Sequence, residues 1–336
     1  MRRLAIAFVK RVLVAGAIVW GVTTATWFLT AALPGDPVRA VLGPTASPAD
    51  VERARHVWGL DQPLYVRYVH FLERLIHRSS ETPGTPKSDH ASCGRLVGSV
   101  HVDLGRSHIY NAPVVDLIEK KLPYSLRLAL AAMAVQIVIG FGLGVFTAMR
   151  RGSRADELVL AASTALSAAP TFVIGLVLQY FLAHRLGWVP LDGLGVGPAD
   201  EARALILPAL TLGCYGAAVL TRFVRAELVT ALVEPFVRTA RAKGASRTRA
   251  ALVHALRSSI GPIAQLVVLE LGALVGGAIV TERLFRWPGL GDMSVAAIQN
   301  HDAQALVGVT LVASVVMVVA TAIADLLNVA LDPRQR

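Results

Sequence analysis

Charged residues are scarce in this chain: Asp, Glu, Lys and Arg make up only 17% of its 336 residues, whereas hydrophobic residues make up 54%. A chain this poor in charge is too apolar for an ordinary soluble domain. No Gly-Lys dipeptide occurs anywhere in the sequence, and a phosphate-cradling nucleotide loop needs one before Ser or Thr. The composition therefore predicts a bilayer protein, and the missing dipeptide excludes ATP hydrolysis by such a loop.

Cysteine is also rare, with only Cys93 and Cys214 in the chain. The first falls in a long polar segment and the second in an apolar run, so a bond between them would need an unfavourable geometry and we expect no disulfide. Six of the nine histidines share the segment of Cys93, but only His90 lies close to it in sequence, and no second pair completes a four-coordinate metal site. We therefore expect solvated histidines, and neither a metal nor another cofactor in this chain.

Six runs of the sequence are apolar enough, and long enough, to cross a hydrocarbon core of about 30 Å. They are residues 12–33, 128–149, 158–183, 204–221, 260–280 and 305–324. We read the first as a retained span, because it is longer than the core of a signal peptide. The sequence thus predicts an all-α polytopic membrane protein with six transmembrane helices, the third and fourth interrupted at Pro170 and Pro208.

Lys and Arg are distributed unequally over the connections between these runs. Eight fall between Arg222 and Arg257, whereas the third and the fifth connections hold two each. Because cationic loops resist translocation, both termini and the 222–258 connection are predicted to be cytoplasmic.

The runs also divide the chain into parts. Residues 1–33 form the N-terminus and first helix, residues 34–121 an extracytoplasmic segment, and residues 122–336 a core of five helices. Within the second part, residues 79–98 are rich in Ser, Pro, Thr and Gly, which predicts a mobile insertion.

The connection at 222–258, here called the basic segment, has helix-forming residues on both sides of Gly244. Glycine lets the backbone turn between two helices, and Ser246 is suited to cap the second one. Apolar residues recur there at helical spacing and predict one apolar face. They are Ala250, Leu252, Val253, Leu256 and Ile260. By itself this pattern is equally typical of a solvated amphipathic loop and of a docking surface.

The order of residues in the basic segment resembles the EAA loop of the membrane subunits of bacterial ABC importers. In the peptide and nickel branch of that family, this loop has the sequence Arg-Thr-Ala-Arg-Ala-Lys-Gly followed by His-Ala-Leu-Arg, and the same residues occur here. The resemblance implies that the segment is the coupling helix that docks into an ATPase subunit. The residues that match are Arg238, Thr239, Ala240, Lys243, Gly244, Ala245, His254 and Leu256.

Other motifs extend the resemblance over nearly the whole chain. They are Leu33-Pro-Gly-Asp-Pro37, residues 59–68, Asp103-Leu-Gly-Arg-Ser107, Trp287-Pro288-Gly289-Leu290-Gly291 and residues 325–334. The chain therefore resembles the first membrane subunit of a type I ABC importer of the dipeptide, oligopeptide and nickel branch (DppB/OppB-like). In that family the Trp-Pro-Gly-Leu-Gly signature is extracytoplasmic, and a helix follows it.

The resemblance implies a bacterial inner-membrane permease for peptides, with ATP and Mg bound by partner subunits. The implied partners are a second homologous permease, one or two ATPase subunits and an extracytoplasmic binding protein. Nickel, glutathione, opine or haem-like cargo is the alternative. A secondary transporter would show internal repeats and paired intramembrane charges, and an intramembrane enzyme would need a catalytic constellation within its spans. We recognise neither in the sequence and expect no enzymatic activity in this chain.

One carboxylate, Glu270, interrupts the fifth run near its middle. Such a charge is costly unless it faces a cavity or a partner. Two roles stay open: Glu270 meets a cationic group of the cargo in the translocation path, or it holds hydrogen bonds at the interface with a second permease. In the second run, Gly140, Gly142 and Gly144 are expected to serve close helix packing.

Overall fold

The computed structural model describes residues 2–32, 37–43, 45–78, 93–97 and 100–331. The α-helices are α1 (Arg2–Ala32), α2 (Pro37–Leu42), α3 (Pro48–Val57), α4 (Leu64–Leu75), α5 (Val114–Gln136), α6 (Gly142–Met149), α7 (Arg154–Ala168), α8 (Thr171–Leu178), α9 (Pro198–Ala231), α10 (Pro235–Ala242), α11 (Arg247–Arg249), α12 (Leu256–Gly277), α13 (Ile279–Leu284), α14 (Leu290–Gln299) and α15 (Ala303–Leu331). The strands are β1 (Ile76–Arg78), β2 (Cys93–Val97), β3 (Val100–Asp103), β4 (Arg106–Ser107) and β5 (Ala112–Pro113). The π-helical turns are Ile137–Phe141, Gln179–Arg185 and Ala250–Ala255.

The predicted spans correspond in order to helices of the structure. Within the described residues, five stretches are long and apolar enough to cross a membrane: Lys10–Ala32, Val114–Met149, Pro198–Ala231, Arg247–Gly276 and Ala303–Ala330. A sixth candidate is the pair formed by Arg154–Ala168 and Thr171–Arg185, which bends by 105°. The all-α polytopic fold is therefore confirmed, with the third span broken.

The break in the third span follows from Pro170. Ala169 has an extended backbone, with φ −76° and ψ 136°, the conformation that a following proline favours, and α8 starts directly after Pro170. The predicted interruption at Pro170 is confirmed. The predicted interruption at Pro208 is wrong, because α9 runs past this buried proline without a break. Membrane-embedded helices tolerate internal proline where their surroundings satisfy the freed carbonyl.

The chain divides into two compact units. The first comprises the described residues within 1–124 and 288–315. Its core contains buried side chains from α5, α14 and α15, among them Val114, Met293 and Ala305. Beside this core, β1, β3 and β2 form an antiparallel sheet in that order, and β4 pairs with β5.

Part of the stretch predicted as a mobile insertion has regular structure. Strand β2 pairs with β3 in antiparallel register, with Cys93 opposite Asp103. The rest of that stretch, residues 79–92 and 98, lies outside the described residues, as do residues 33–36 of the Leu-Pro-Gly-Asp-Pro motif and residues 332–336 of the C-terminal motif.

Two histidines of the first unit are not solvated as expected. His101 on β3 is buried, and the ring of His108 stacks on Trp58 with 4.0 Å between ring centroids. Burial lowers the pKa of His108, and the Asp302 carboxylate acts in the opposite direction. Both imidazoles therefore contribute to packing in this unit.

The second unit comprises the described residues within 125–287 and 316–336 and is organised around α9. Four glycines, here called the glycine seam, lie where α9 meets the end of α5, the π turn Ile137–Phe141 and α6. They are Gly140, Gly144, Gly213 and Gly216. A Cβ added at Gly144 would lie 2.7 Å from Val224, so the helices could not approach this closely with any larger residue.

The expected role in close packing is confirmed for Gly140 and Gly144. For Gly142 it is wrong, because its missing Cβ would meet no atom within 4 Å apart from its own helix backbone and chain neighbours, among the described residues.

Candidate functional site

The basic segment is attached to the second unit by an apolar anchor. Helix α10 begins with Pro235 at its first position, where a proline loses no hydrogen bond. Its Val237 side chain is fully buried in a cluster with Leu228 of α9 and Ala250 of the following π turn. Arg238 and Arg241 are exposed on the same short helix. The anchor thus holds α10 in place while its cationic side chains remain accessible.

Gly244 determines the turn that ends α10. Its φ is +92°, a left-handed conformation that glycine adopts without steric cost. The Gly244 N–H donates to the Arg241 carbonyl at 3.0 Å, and the Ala245 N–H donates to the Ala240 carbonyl at 3.1 Å. These two bonds form a Schellman motif. The predicted turn at Gly244 is therefore confirmed.

Ser246 caps the next helix, as predicted, with its Oγ accepting the Arg249 N–H at 3.2 Å. This helix is not a separate short element, because it continues through the π turn into α12. Hydrogen bonds from i to i+5 shift the apolar face: alanines of the π turn are buried, whereas Leu252 and Val253 are 44% and 53% exposed. Ile260, further along α12, is exposed as well, so the predicted apolar face is wrong at these three positions.

The residues implied to form the coupling surface fall into two groups. Arg238, Thr239, Lys243 and Gly244 are exposed, and Ala240, Ala245, His254 and Leu256 are partly buried. The exposed group lies on α10 and its turn, next to the exposed Arg247 and Arg249. The structure therefore presents a continuous cationic stretch of chain, with small and apolar residues behind it.

The Trp287 signature is buried. Trp287 is 1% exposed, and its backbone N–H donates to the backbone carbonyl of Glu282 at 2.8 Å. Pro288 is partly buried, and Gly289 and Gly291 are buried at the start of α14, the helix implied to follow this motif. These residues act through packing and backbone hydrogen bonds, and not through exposed side chains.

Buried carboxylates of the second unit were missed by the sequence reasoning. Glu282 is 1% exposed and accepts the Ser125 hydroxyl at 2.7 Å. Asp156 is 2% exposed and receives two bonds from Arg225, from Nε at 2.6 Å and from Nη2 at 2.7 Å. We call Asp156 and Arg225 the closed pair. An acidic residue in the first turn of a helix gives no sequence signal that it will be buried.

Glu270 lies on the side of α12 that faces α9. It follows Leu266 and Val267 by four and three residues, and both of these side chains pack on the cluster that contains Leu228 and Val224 of α9. Glu270 is partly exposed, and the carboxamide of Gln136 lies beside its carboxylate.

Gln136 is the most unusual polar residue of this region. Its side chain is 1% exposed, its amide N–H group faces the Glu270 carboxylate, and its Oε1 has no hydrogen-bond donor in the part of the chain that the structure describes. Buried amides are nearly always paired. We call Gln136, Gly216 and Glu270 the open site. Sequence reasoning missed Gln136, although an amide in the middle of an apolar run was an available signal.

Comparisons with known proteins agree over most of the chain. Residues 140–336 match the family described as binding-protein-dependent transport system inner membrane component, and residues 4–129 match the N-terminal family of the same transport-system membrane components. The glutathione transport system permease protein GsiC of Escherichia coli (strain K12) is 33% identical over 304 residues, 90% of each chain. GsiC of Shigella flexneri serotype 5b has the same identity and coverage.

A solved structure is similar in fold. It is an inward-facing conformation of the MetNI methionine ABC transporter, with a TM-score of 0.55 and 18% identity. The match covers 66% of this chain and 98% of that chain.

Proposed function

Because the chain belongs to the binding-protein-dependent transport system inner membrane component family, we propose that it forms half of the translocation pathway of a peptide importer. It is a permease subunit of an ABC importer, and the observation that carries this conclusion is its 33% identity to a transport permease along 90% of both chains.

Peptides are the proposed cargo, with glutathione the strongest alternative. The similar permeases are named for glutathione, which is itself a tripeptide. Nickel, opine and haem-like cargo fit the same architecture less directly, and the structure supplies no cluster of three His, Cys, Asp or Glu side chains for a metal among the described residues. Uptake of trialanine and of glutathione by cells carrying the complete transporter separates the two cargo classes.

The basic segment is the proposed attachment site of an ATPase subunit, in which ATP and Mg bind. A second homologous permease completes the pathway, and an extracytoplasmic binding protein delivers the cargo. The support is geometric: α10 is exposed, cationic and fixed at its base by Val237, so force applied to it would reach α9 through packed side chains.

Gly244→Val tests this attachment. Valine at φ +92° strains the turn by about 1–2 kcal/mol and displaces α10, so we expect loss of co-purifying ATPase and of ATP hydrolysis stimulated by loaded binding protein. Gly187→Val is the matched control, because Gly187 is also exposed with a positive φ of +63° but lies outside the basic segment. Unchanged ATPase attachment in Gly244→Val, or equal loss in both variants, would contradict the assignment of the basic segment as the ATPase attachment site. Ala240→Asp should act in the same direction by charging a packed surface.

The proposed location is the bacterial inner membrane, with both termini and the basic segment in the cytoplasm and Cys93 outside. A membrane-impermeant thiol reagent should label Cys93 in intact cells, after replacement of Cys214 by Ser. Labelling of Cys93 only after lysis would contradict this orientation.

A further inference from the structure

The open site is held in place by the glycine seam. A Cβ added at Gly216 would come within 2.4 Å of Oε1 of Gln136, and one at Gly213 within 2.6 Å of Val135. The absent side chain of Gly216 therefore makes the space that the Gln136 carboxamide fills. A buried carboxamide fixed in this way has little freedom to rotate toward another partner.

The position of Gln136 is not explained by local secondary structure. It is the last residue of α5 before the π turn Ile137–Phe141, and its side chain makes no capping bond. π turns occur frequently at functional positions. A buried amide oxygen without a donor costs about 1–3 kcal/mol, so retaining one here is unfavourable unless a donor from outside the described residues binds it.

Glu270 supplies the charge of the site. It is the only ionisable side chain between Arg257 and Glu282, and it is the partly exposed member of the site, whereas Gln136 is buried behind it. A ligand approaching from the exposed side would therefore meet the carboxylate first. A carboxylate and an amide oxygen together are acceptors, and the ligand that suits them is a small cationic donor.

We propose that Gln136 and Glu270 form a binding site for the primary ammonium group of the cargo. The Glu270 carboxylate supplies the countercharge, Oε1 of Gln136 accepts a second N–H, and Gly216 keeps the carboxamide in position. This inference rests on the proposed function, since the amino terminus of a peptide and the glutamyl residue of glutathione each supply a free ammonium group. It assigns to this permease a recognition element that is separate from any selection by a binding protein.

The test uses an ammonium group as the probe and does not depend on knowing the cargo. In the purified complete transporter, with Cys93 and Cys214 replaced by Ser, Gln136→Cys places a thiol in the site. Its rate of modification is measured with 2-aminoethyl methanethiosulfonate, which carries an ammonium, and with the 2-sulfonatoethyl reagent, which carries a sulfonate. Because one thiol reacts with both reagents, their ratio of rates cancels any change in the thiol itself.

Relative to a free thiol, we expect the preference for the ammonium reagent to be about tenfold larger, the factor given by ~1.4 kcal/mol of differential stabilisation. Both rates are divided by those of the same reagent with free 2-mercaptoethanol, because a thiolate intrinsically favours the cationic reagent. Glu270→Gln in the same background keeps the size of the side chain and removes the charge, so it should bring this normalised ratio close to one. A thiol inert to both reagents with and without nucleotide, equal normalised rates with Glu270 present, or a preference that persists in Glu270→Gln would each overturn the proposal.

A second cysteine variant can be used if Gln136→Cys does not assemble. Val267→Cys lies one helical turn before Glu270 on the same side of α12 and should show the same preference, again removed by Glu270→Gln. Failure of the importer assignment itself would appear as loss of ATPase co-purification in the unaltered complex, which the ratio of labelling rates does not measure. The two failures are therefore distinguishable.

Discussion

The closed pair and the open site are two groups of polar side chains in the same unit. They differ in how many of their possible hydrogen bonds are made within the described chain. In the closed pair, both carboxylate oxygens of Asp156 are bound by Arg225, and the Gly152 N–H adds a third bond at 2.9 Å. In the open site, Oε1 of Gln136 has no hydrogen-bond donor among the described residues. A polar group that only stabilises the fold is satisfied by the fold. The unsatisfied one therefore indicates where a ligand is expected.

The largest effect should come from breaking the closed pair. Asp156→Asn leaves the Arg225 guanidinium without its counterion, and removal of one partner from a buried pair costs about 3 kcal/mol. We expect a clearly lowered temperature of thermal unfolding of the purified complex, and reduced assembly. Glu270→Gln, at the open site, should leave both measurements nearly unchanged.

The double variant Asp156→Asn with Arg225→Met serves as the control. Because it removes both charges, it should recover part of the stability that the single variant loses. An Asp156→Asn complex as stable as the unaltered one would show that the closed pair is not what distinguishes the two contacts.

A smaller effect is expected from the glycine seam. Gly144→Ala would bring a Cβ to 2.7 Å from Val224, and overpacking of this kind costs about 2 kcal/mol. Gly142→Ala is the matched control, because its new Cβ would meet no described atom within 4 Å apart from its own helix backbone and chain neighbours. Thermal unfolding should separate the two variants, and equal stability would contradict the account of the seam.

Local signals were read correctly from the sequence. Gly244 and Ser246 produce the predicted turn and cap, and Pro170 produces a break, because in each case the residue acts on its own backbone. The six apolar runs were equally readable, since length and composition decide whether a helix can span a membrane.

The features that were predicted wrongly or missed depend on residues that are distant in sequence or on the geometry of a whole turn. The π turn at Ala250–Ala255 leaves Leu252 and Val253 exposed, and no single residue in the sequence predicts such a turn. Gln136 became notable only because Gly216, eighty residues later, leaves space for its carboxamide. Of the candidate site, the sequence therefore identified the charged member Glu270 and missed the amide beside it.

The smallest effect is expected from an exposed counterpart of the closed pair. Arg286 and Asp192 are also an arginine and an aspartate, 3.3 Å apart, but their side chains are 78% and 42% exposed. Water solvates both charges and mobile ions screen them, so such a pair contributes about 0.5 kcal/mol or less. Asp192→Asn should leave the unfolding temperature of the complex almost unchanged, and any difference should shrink further in 0.5 M salt. A loss as large as that of Asp156→Asn would mean that burial is not what makes the closed pair structural. Burial of Gln136 would then no longer indicate a ligand at the open site.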